Sequence, residues 1–278
     1  MINSTLKPRI KLLGDHSKYH CGCKAVIHYL QNELRTVGTL TNENDYDILV
    51  VNGEGSMHHS TKTFFKKMTA LKQAISQSKA AYLINTVWQS NTHEFDYILK
   101  CLNGITVREQ MSCDDLLNHH GVQSVIRLDA SYWAEIDESS PYQHFGSSVI
   151  IGDFYSKFHK RFVRIESEKL KKYPYVNMNQ IYWSSLVKGL RTASLFVTGR
   201  HHGVFAACRA RIPFVAIMGN SHKIEGMVKM SRLPIPVCTV PKELETTMQW
   251  ALENKTIYDD FFAWMDEQPR LCPTDLGL

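Results

Sequence analysis

The segment TASLFVTGRHHGVFAACRARIPFVAI, residues 192–217, sets one guanidinium and two imidazoles between two glycines: Gly199, Arg200, His201, His202, Gly203. The flanks are apolar. Residues 195–198 read as a short strand, 203–210 as a helix and 214–218 as a second strand, which makes a βαβ unit. The cluster then lies where a strand's carboxyl end meets a helix's amino end. A helix amino end has unpaired N–H groups and partial positive charge, so it favours an anion. Arg200 adds a planar fork matched to carboxylate or phosphate. His202 adds a group that changes protonation near neutral pH. A lone arginine in a turn would read as a carbonyl cap or a core ion pair. Arginine, two histidines and two glycines together read as a site for a small dianion, with Arg200, His201 and His202 as ligands.

Other strand ends carry similar chemistry. MGNSHKIEG follows the strand at 214–218, and its Lys223 offers a further positive charge to the same anion. DYDILVVNGEGSMHHS, residues 45–60, ends a strand in Asn52-Gly53-Glu54-Gly55-Ser56, with His58 and His59 beyond. No Gly-Lys-Ser/Thr follows, so this is no Walker loop, and the glycine spacing is not that of a dinucleotide fingerprint. Glu54 is a candidate base or acceptor of a sugar hydroxyl's hydrogen bond; a solvated turn glutamate is the alternative. The loop GDHSKYHCGCKAV brings Asp15, His16, His20 and Gly22 to another strand end. Asp15, His20, Glu54 and His58 are the candidate acceptor-side residues. His16, His20, Cys21 and Cys23 are too crowded and irregular for a zinc site, and no metal is expected. TVREQMS puts Arg108 at a further strand end, with a surface ion pair as its alternative role.

These turns need a scaffold of alternating elements. Strands are predicted over 9–13, 46–51, 80–86, 104–107, 122–128, 149–152, 195–198 and 214–218. Helices are predicted over 21–35, 64–78, 95–102, 112–119, 179–192, 203–210, 241–254 and 257–266. AEIDESSPYQHFGSS, around 134–148, is polar and turn-rich and reads as the domain edge. The alternation implies two doubly wound α/β halves, residues 1–140 and 141–278, with the active site in the cleft between them. The first half would face an acceptor and the second hold the donor anion. The 278 residues suffice for two cores. The formal charge of +5 comes with no dense basic block and no nucleic-acid motif, and a basic cleft for a small anion explains it as well as a polymer would. Seven scattered cysteines suit reduced thiols in a cytoplasm better than a disulfide framework. No run approaches the ~18 apolar residues of a membrane span, and the start MINSTLKPRIKLLGD does not read as a signal peptide. The last helices, with Trp250, Phe261, Phe262 and Trp264, read as an apolar docking face. Tyr173, Tyr175, Tyr182 and Trp183 read as core packing in preference to sugar stacking.

The pieces VVNGEGSMHH, YLINTVWQS, ITVREQMSCDDLL, RLDASYW, SLFVTGRHHGVFAACRARIPFVAI and HKIEG, taken in this order, resemble the polysaccharide pyruvyl transferase family. The resemblance implies two Rossmann-like halves similar to GT-B glycosyltransferases. It implies phosphoenolpyruvate as donor and a pyruvate ketal on a sugar of a cell-surface polysaccharide or its precursor as product. It implies that Arg200 and His202 contact the donor, with Arg108 as a further donor contact. For the ketal chemistry itself His202 is the candidate acid, and Glu54 or a histidine near it the candidate base. No cofactor would be needed. The acceptor would be a lipid- or nucleotide-linked glycan, met in the cytoplasm or at the membrane's inner face. The chain differs from the family pattern in two places: the family commonly has a triple-glycine turn at Asn52-Gly53-Glu54-Gly55, and often an aliphatic residue at His201. Two other readings stay open from sequence: a GT-B-like glycosyltransferase that uses a nucleotide sugar, and a non-catalytic glycan- or anion-binding relative. Oligomeric state is not legible.

Overall fold

The computed structural model describes residues 7–154 and 170–277. These divide into two compact units, neither continuous in sequence. One holds the chain up to Asp15, Ile27–Ala130 and the residues from Pro269 onward; the other holds His16–Val26 and Ser131–Gln268. The main passage between them thus falls at Ala130, ahead of residue 140, and two short segments belong to the unit that sequence order would not give them.

The first unit is built on strands β1 (Arg9–Leu13), β2 (Thr39–Leu40), β3 (Ile48–Glu54), β4 (Ala80–Thr86), β5 (Gly104–Val107) and β6 (Val125–Ile126). Their order is β2-β1-β3-β4-β5-β6, and every pairing is parallel. All seven residues of β3 are buried. Such an unbroken run, in place of alternation, marks a parallel strand covered on both faces. Leu49, Val51, Leu83 and Val107 of the sheet share one core with Phe64, Met68, Leu71, Trp88 and Leu116. Thr61 caps the helix Lys62–Ser76 by accepting from the Phe64 N–H. The helix Gln110–His120 ends at Gly121, in the left-handed conformation with φ of 63°.

The second unit is built on β7 (Val149–Gly152), β8 (Tyr175–Val176), β9 (Leu195–Thr198), β10 (Phe214–Ile217) and β11 (Val237–Cys238). Their order is β11-β10-β9-β7-β8, again all parallel. The helices Leu244–Glu253 and Lys255–Glu267 pack within this unit. Tyr258, Phe261, Phe262 and Met265 form the buried face, and Tyr258 Oη donates to the Phe214 carbonyl at 2.5 Å.

The two sheets share one winding. The chain enters at an inner strand (β1, β7), steps to a neighbouring edge (β2, β8), then crosses to the other side (β3, β9). The reversal puts a switch point between β1 and β3 and another between β7 and β9, and the carboxyl ends there form the ligand crevice of such sheets.

The predicted α/β architecture is the observed one, and residues 134–148 hold no helix or strand. Three differences have plain causes. The strands β2, β8 and β11 have two residues each, too few for a period-two pattern. The helix Lys223–Met230 has only eight residues and follows a polar turn, so it reads as loop. The predicted helix at 95–102 is a 3₁₀ turn, His93–Phe95, followed by the single helical turn Asp96–Leu99. Among the described residues no helix is long and apolar enough to cross a membrane.

Candidate functional site

In the second unit Arg200 follows β9 and precedes the helix His201–Ala210, in extended conformation. A Cβ on Gly203 would stand 2.3 Å from Thr198 Oγ1, so only glycine lets the first helical turn close onto the strand end. The same Thr198 hydroxyl accepts from the Arg200 N–H at 3.1 Å. The Arg200 side chain is 7% exposed, and its Nε donates to Asp153, the residue after β7. Arginine and aspartate thus pair across the second switch point. The Asp153 Oδ1 also accepts from the Met178 N–H at 3.2 Å. The guanidinium carbon lies 5.1 Å from the centroid of the Tyr19 ring. Burial would lower the Arg200 pKa, but Asp153 and Tyr19 more than offset it and hold the pKa above the ordinary value. The site keeps a fixed, oriented cation.

His202 and His201 are both buried. The His201 ring meets Phe205 edge to face at 4.8 Å between centroids. His20, from the loop before the helix Cys21–Val37, is not apart from this group: its Nε2 lies 3.5 Å from His202 Nδ1 and 3.4 Å from Cys23 Sγ. Gly22 makes this approach possible, because a Cβ there would fall 2.4 Å from the His202 Cβ. Lys223 opens its helix, and its Nζ donates to Asn220 Oδ1 at 2.7 Å and to Ser221 Oγ at 3.1 Å.

In the first unit Glu54 is the last residue of β3, buried, with φ of 48°. A Cβ on Gly53 would stand 2.1 Å from Thr86 Oγ1, so this glycine serves contact between strands rather than approach to a ligand. Lys67, buried, gathers the turn: its Nζ donates to the Asn52 carbonyl at 2.7 Å, the Gly53 carbonyl at 2.9 Å and Ser56 Oγ at 2.7 Å. Asn52 Nδ2 donates to the Gly14 carbonyl at 3.1 Å and so ties β1 to β3 at the first switch point. Arg108, just after β5, is 1% exposed. Its Nη1 donates to Asp129 Oδ2 at 2.5 Å, while Nε and Nη2 are buried with no hydrogen-bond partner. A buried guanidinium satisfied on one edge only is costly, and the open edge fits an anionic oxygen. Gly55 leaves that side clear: a Cβ there would meet only Arg108 Nη2, at 3.8 Å. His58 is buried, with its Nδ1 in hydrogen-bond range of His59 Nδ1 at 2.9 Å; Asp15 is exposed.

Two groups among the described residues have metal-ligand chemistry: His20, Cys23 and His202; and His93, Asp96 and His120. The second is a hydrogen-bonded ladder, with Asp96 carboxylate oxygens 2.9 Å from His93 Nδ1 and 2.6 Å from His120 Nδ1. Cys21 takes no part in the first, and burial pushes its thiol up to about 12. Sequence reading did not find Asp153, Asp129, Tyr19 or Lys67. The two aspartates had one signal, an acid directly after an apolar strand-like run.

A sequence model of the polysaccharide pyruvyl transferases matches residues 3–221. The chain belongs to that family. Among the candidates Glu54, Arg108, Arg200, His201 and His202 fall inside the match, and Lys223 falls just beyond it. No curated protein matches the sequence. Solved structures share the fold at low identity. A UDP-bound MnaA of S. aureus is 8% identical with a TM-score of 0.64, over 98% of this chain and 94% of that one. A UDP-N-acetylglucosamine 2-epimerase from Listeria monocytogenes is 12% identical with a TM-score of 0.59, over 92% and 91%. The glycotransferase of kitacinnamycin is 10% identical with a TM-score of 0.55, over 94% and 94%. This pyruvyl transferase relative therefore has the α/β fold of GT-B glycosyltransferases and epimerases.

Proposed function

We propose that the protein transfers a pyruvyl group from phosphoenolpyruvate to sugar hydroxyls and forms a pyruvate ketal on a polysaccharide or its precursor. The observation that carries the reading is the Arg200–His201–His202 turn, a buried, permanently charged guanidinium beside two imidazoles at a helix amino end. Phosphoenolpyruvate is a compact anion with one phosphate and one carboxylate. In this reading Arg200, His201 and His202 bind the donor, and Lys223 adds charge once it exchanges Asn220 and Ser221 for the ligand. Arg108 is the further guanidinium that the family implies for an anion. Its open edge supports that assignment.

The chemistry needs an acid and a base. A proton is delivered to the methylene carbon of the donor. Positive charge develops at the adjacent carbon, a sugar hydroxyl attacks there, and phosphate leaves. A second hydroxyl then closes the ketal ring. His202 is the proposed phosphate ligand and acid, and Glu54 the proposed base. Asp15 and His58 are proposed acceptor contacts; His20 belongs to the His202 group. The scheme calls for no cofactor.

The test is thermal unfolding with phosphoenolpyruvate, UDP or CMP, for wild type and Arg200→Ala. A ligand at ~100 times its dissociation constant adds ~2.7 kcal/mol to the folded state. Stabilisation by phosphoenolpyruvate, absent in Arg200→Ala, is expected. Stabilisation by a nucleotide alone would replace this reading with glycosyl transfer. Tight donor binding without phosphate release against any glycan would leave a binding protein.

A further inference from the structure

We propose that His20 is a positioning residue that fixes the tautomer of His202, with the ring proton on Nε2. The proposal deepens the reading of His202 as a donor ligand and rests on it for its consequence, though not for its geometry.

The Cys23 backbone N–H, one of the donors that the helix Cys21–Val37 cannot satisfy internally, points at His20 Nδ1 at 3.3 Å. A backbone N–H can only donate, so Nδ1 is an acceptor and the neutral His20 ring carries its proton on Nε2. That Nε2–H faces Cys23 Sγ at 3.4 Å and His202 Nδ1 at 3.5 Å. Two N–H groups cannot face each other in a buried cluster, so His202 Nδ1 presents its lone pair. The route through sulfur gives the same result: His20 Nε2–H into Sγ, then the thiol proton toward His202 Nδ1 at 4.0 Å. In both cases the second ring's proton resides on Nε2. The order of protons runs from a backbone amide through one imidazole to another. In the neutral, donor-free ring the His202 Nε2–H is then a pre-set donor toward an anionic oxygen; the proposed acid role requires a further proton on the ring.

The same three atoms invite a metal reading. Their separations of 3.4, 3.5 and 4.0 Å suit a tetrahedral zinc ion held at ~2.0–2.3 Å from each ligand. A metal on His20 Nε2 would need that nitrogen's lone pair. The ring proton would then move to Nδ1, against the Cys23 N–H. The backbone hydrogen bond therefore favours a proton over a metal in this triangle.

The experiment reads ring-nitrogen shifts of ¹⁵N-labelled protein by NMR without donor, with the His202 signals assigned from His202→Gln. Wild type is expected to show His202 as the Nε2–H tautomer. His20→Asn keeps a capping acceptor for the helix but nothing that reaches His202. It is expected to give mixed tautomers and an affinity for phosphoenolpyruvate weaker by about tenfold, the worth of one hydrogen bond. His20→Gln carries an amide nitrogen in the place of Nε2 and is expected to restore both. A Nδ1–H tautomer in wild type overturns the proposal without any variant. So does an unchanged Nε2–H tautomer in His20→Asn, or stoichiometric zinc in the purified protein that is lost in Cys23→Ser. Because the shifts are read without donor, a protein that holds the tautomer but binds no phosphoenolpyruvate refutes the functional reading alone.

Discussion

Glu54 stands in the left-handed region, with φ of 48°, at the end of a buried strand. A side chain there costs about 1–3 kcal/mol, and glycine would adopt the conformation freely. The family's common triple-glycine turn falls on this position. Its carboxylate is buried on a turn fixed by Lys67, which is the placement the proposed base role requires. Glu54→Gln keeps the shape and removes the basicity. It is expected to lower kcat by about 10²- to 10⁴-fold, with the melting temperature nearly unchanged, in an assay of phosphate release with acceptor present. Full turnover in the variant would remove Glu54 from the chemistry. Arg108 shows the complementary feature, a buried cation with one edge unfilled.

Strand–helix junctions are the elements that hold these residues, and their glycines have different physical jobs. At Gly203 a methyl would lie 2.3 Å from Thr198 Oγ1 and 2.9 Å from its Cγ2. Gly203→Ala must push the helix His201–Ala210 off the end of β9, at a cost of about 1–3 kcal/mol for overpacking, and should displace Arg200 and His202. A lower unfolding midpoint in urea together with lost stabilisation by phosphoenolpyruvate is expected. Gly55 is the contrast. A methyl there meets only Arg108 Nη2, at 3.8 Å. Gly55→Ala should leave stability within about 1 kcal/mol and weaken only the binding of an anion that uses the open edge of Arg108. Equal destabilisation by the two changes would show that the packing argument is wrong.

At the scale of the molecule, the residues from Pro269 onward return to the first unit and close it. Tyr29 Oη donates to the Leu271 carbonyl at 2.7 Å. Asp275 Oδ2 accepts from Arg127 Nε at 2.9 Å and from the Cys272 N–H at 2.9 Å. Burial would raise the Asp275 pKa, but the bonds from Arg127 and Cys272 outweigh it and hold the carboxyl below its usual range. A carboxylate with a lowered folded pKa stabilises the fold above its unfolded pKa of about 3.9. That contribution is lost as pH falls through the folded value. Asp275→Asn is therefore expected to cost about 1–3 kcal/mol at pH 7, and the gap to wild type should narrow as pH falls below ~4. Urea unfolding across that range measures it. A gap constant with pH would mean that Asp275 acts by packing rather than by charge.

The sequence by itself determined the elements and the strand ends. Unbroken apolar runs such as 48–51 and 214–217 must be covered on both faces, and the helices between them follow from period and length, so the α/β class was legible. Glycine, arginine and two histidines at one junction also announced an anion site, because a strand end and the helix after it are neighbours in the chain. The tertiary structure alone decided the pairings. Arg200 meets Asp153 across 47 residues, and Cys23 meets His202 across 179. Nothing in local spacing encodes those distances; they arise when β7 and β9 become neighbours at a switch point and a glycine lets a helix start pack on a histidine. The exchange of His16–Val26 and of the residues from Pro269 onward against sequence order has the same origin. Short segments belong where their side chains are buried, whatever their place in the chain.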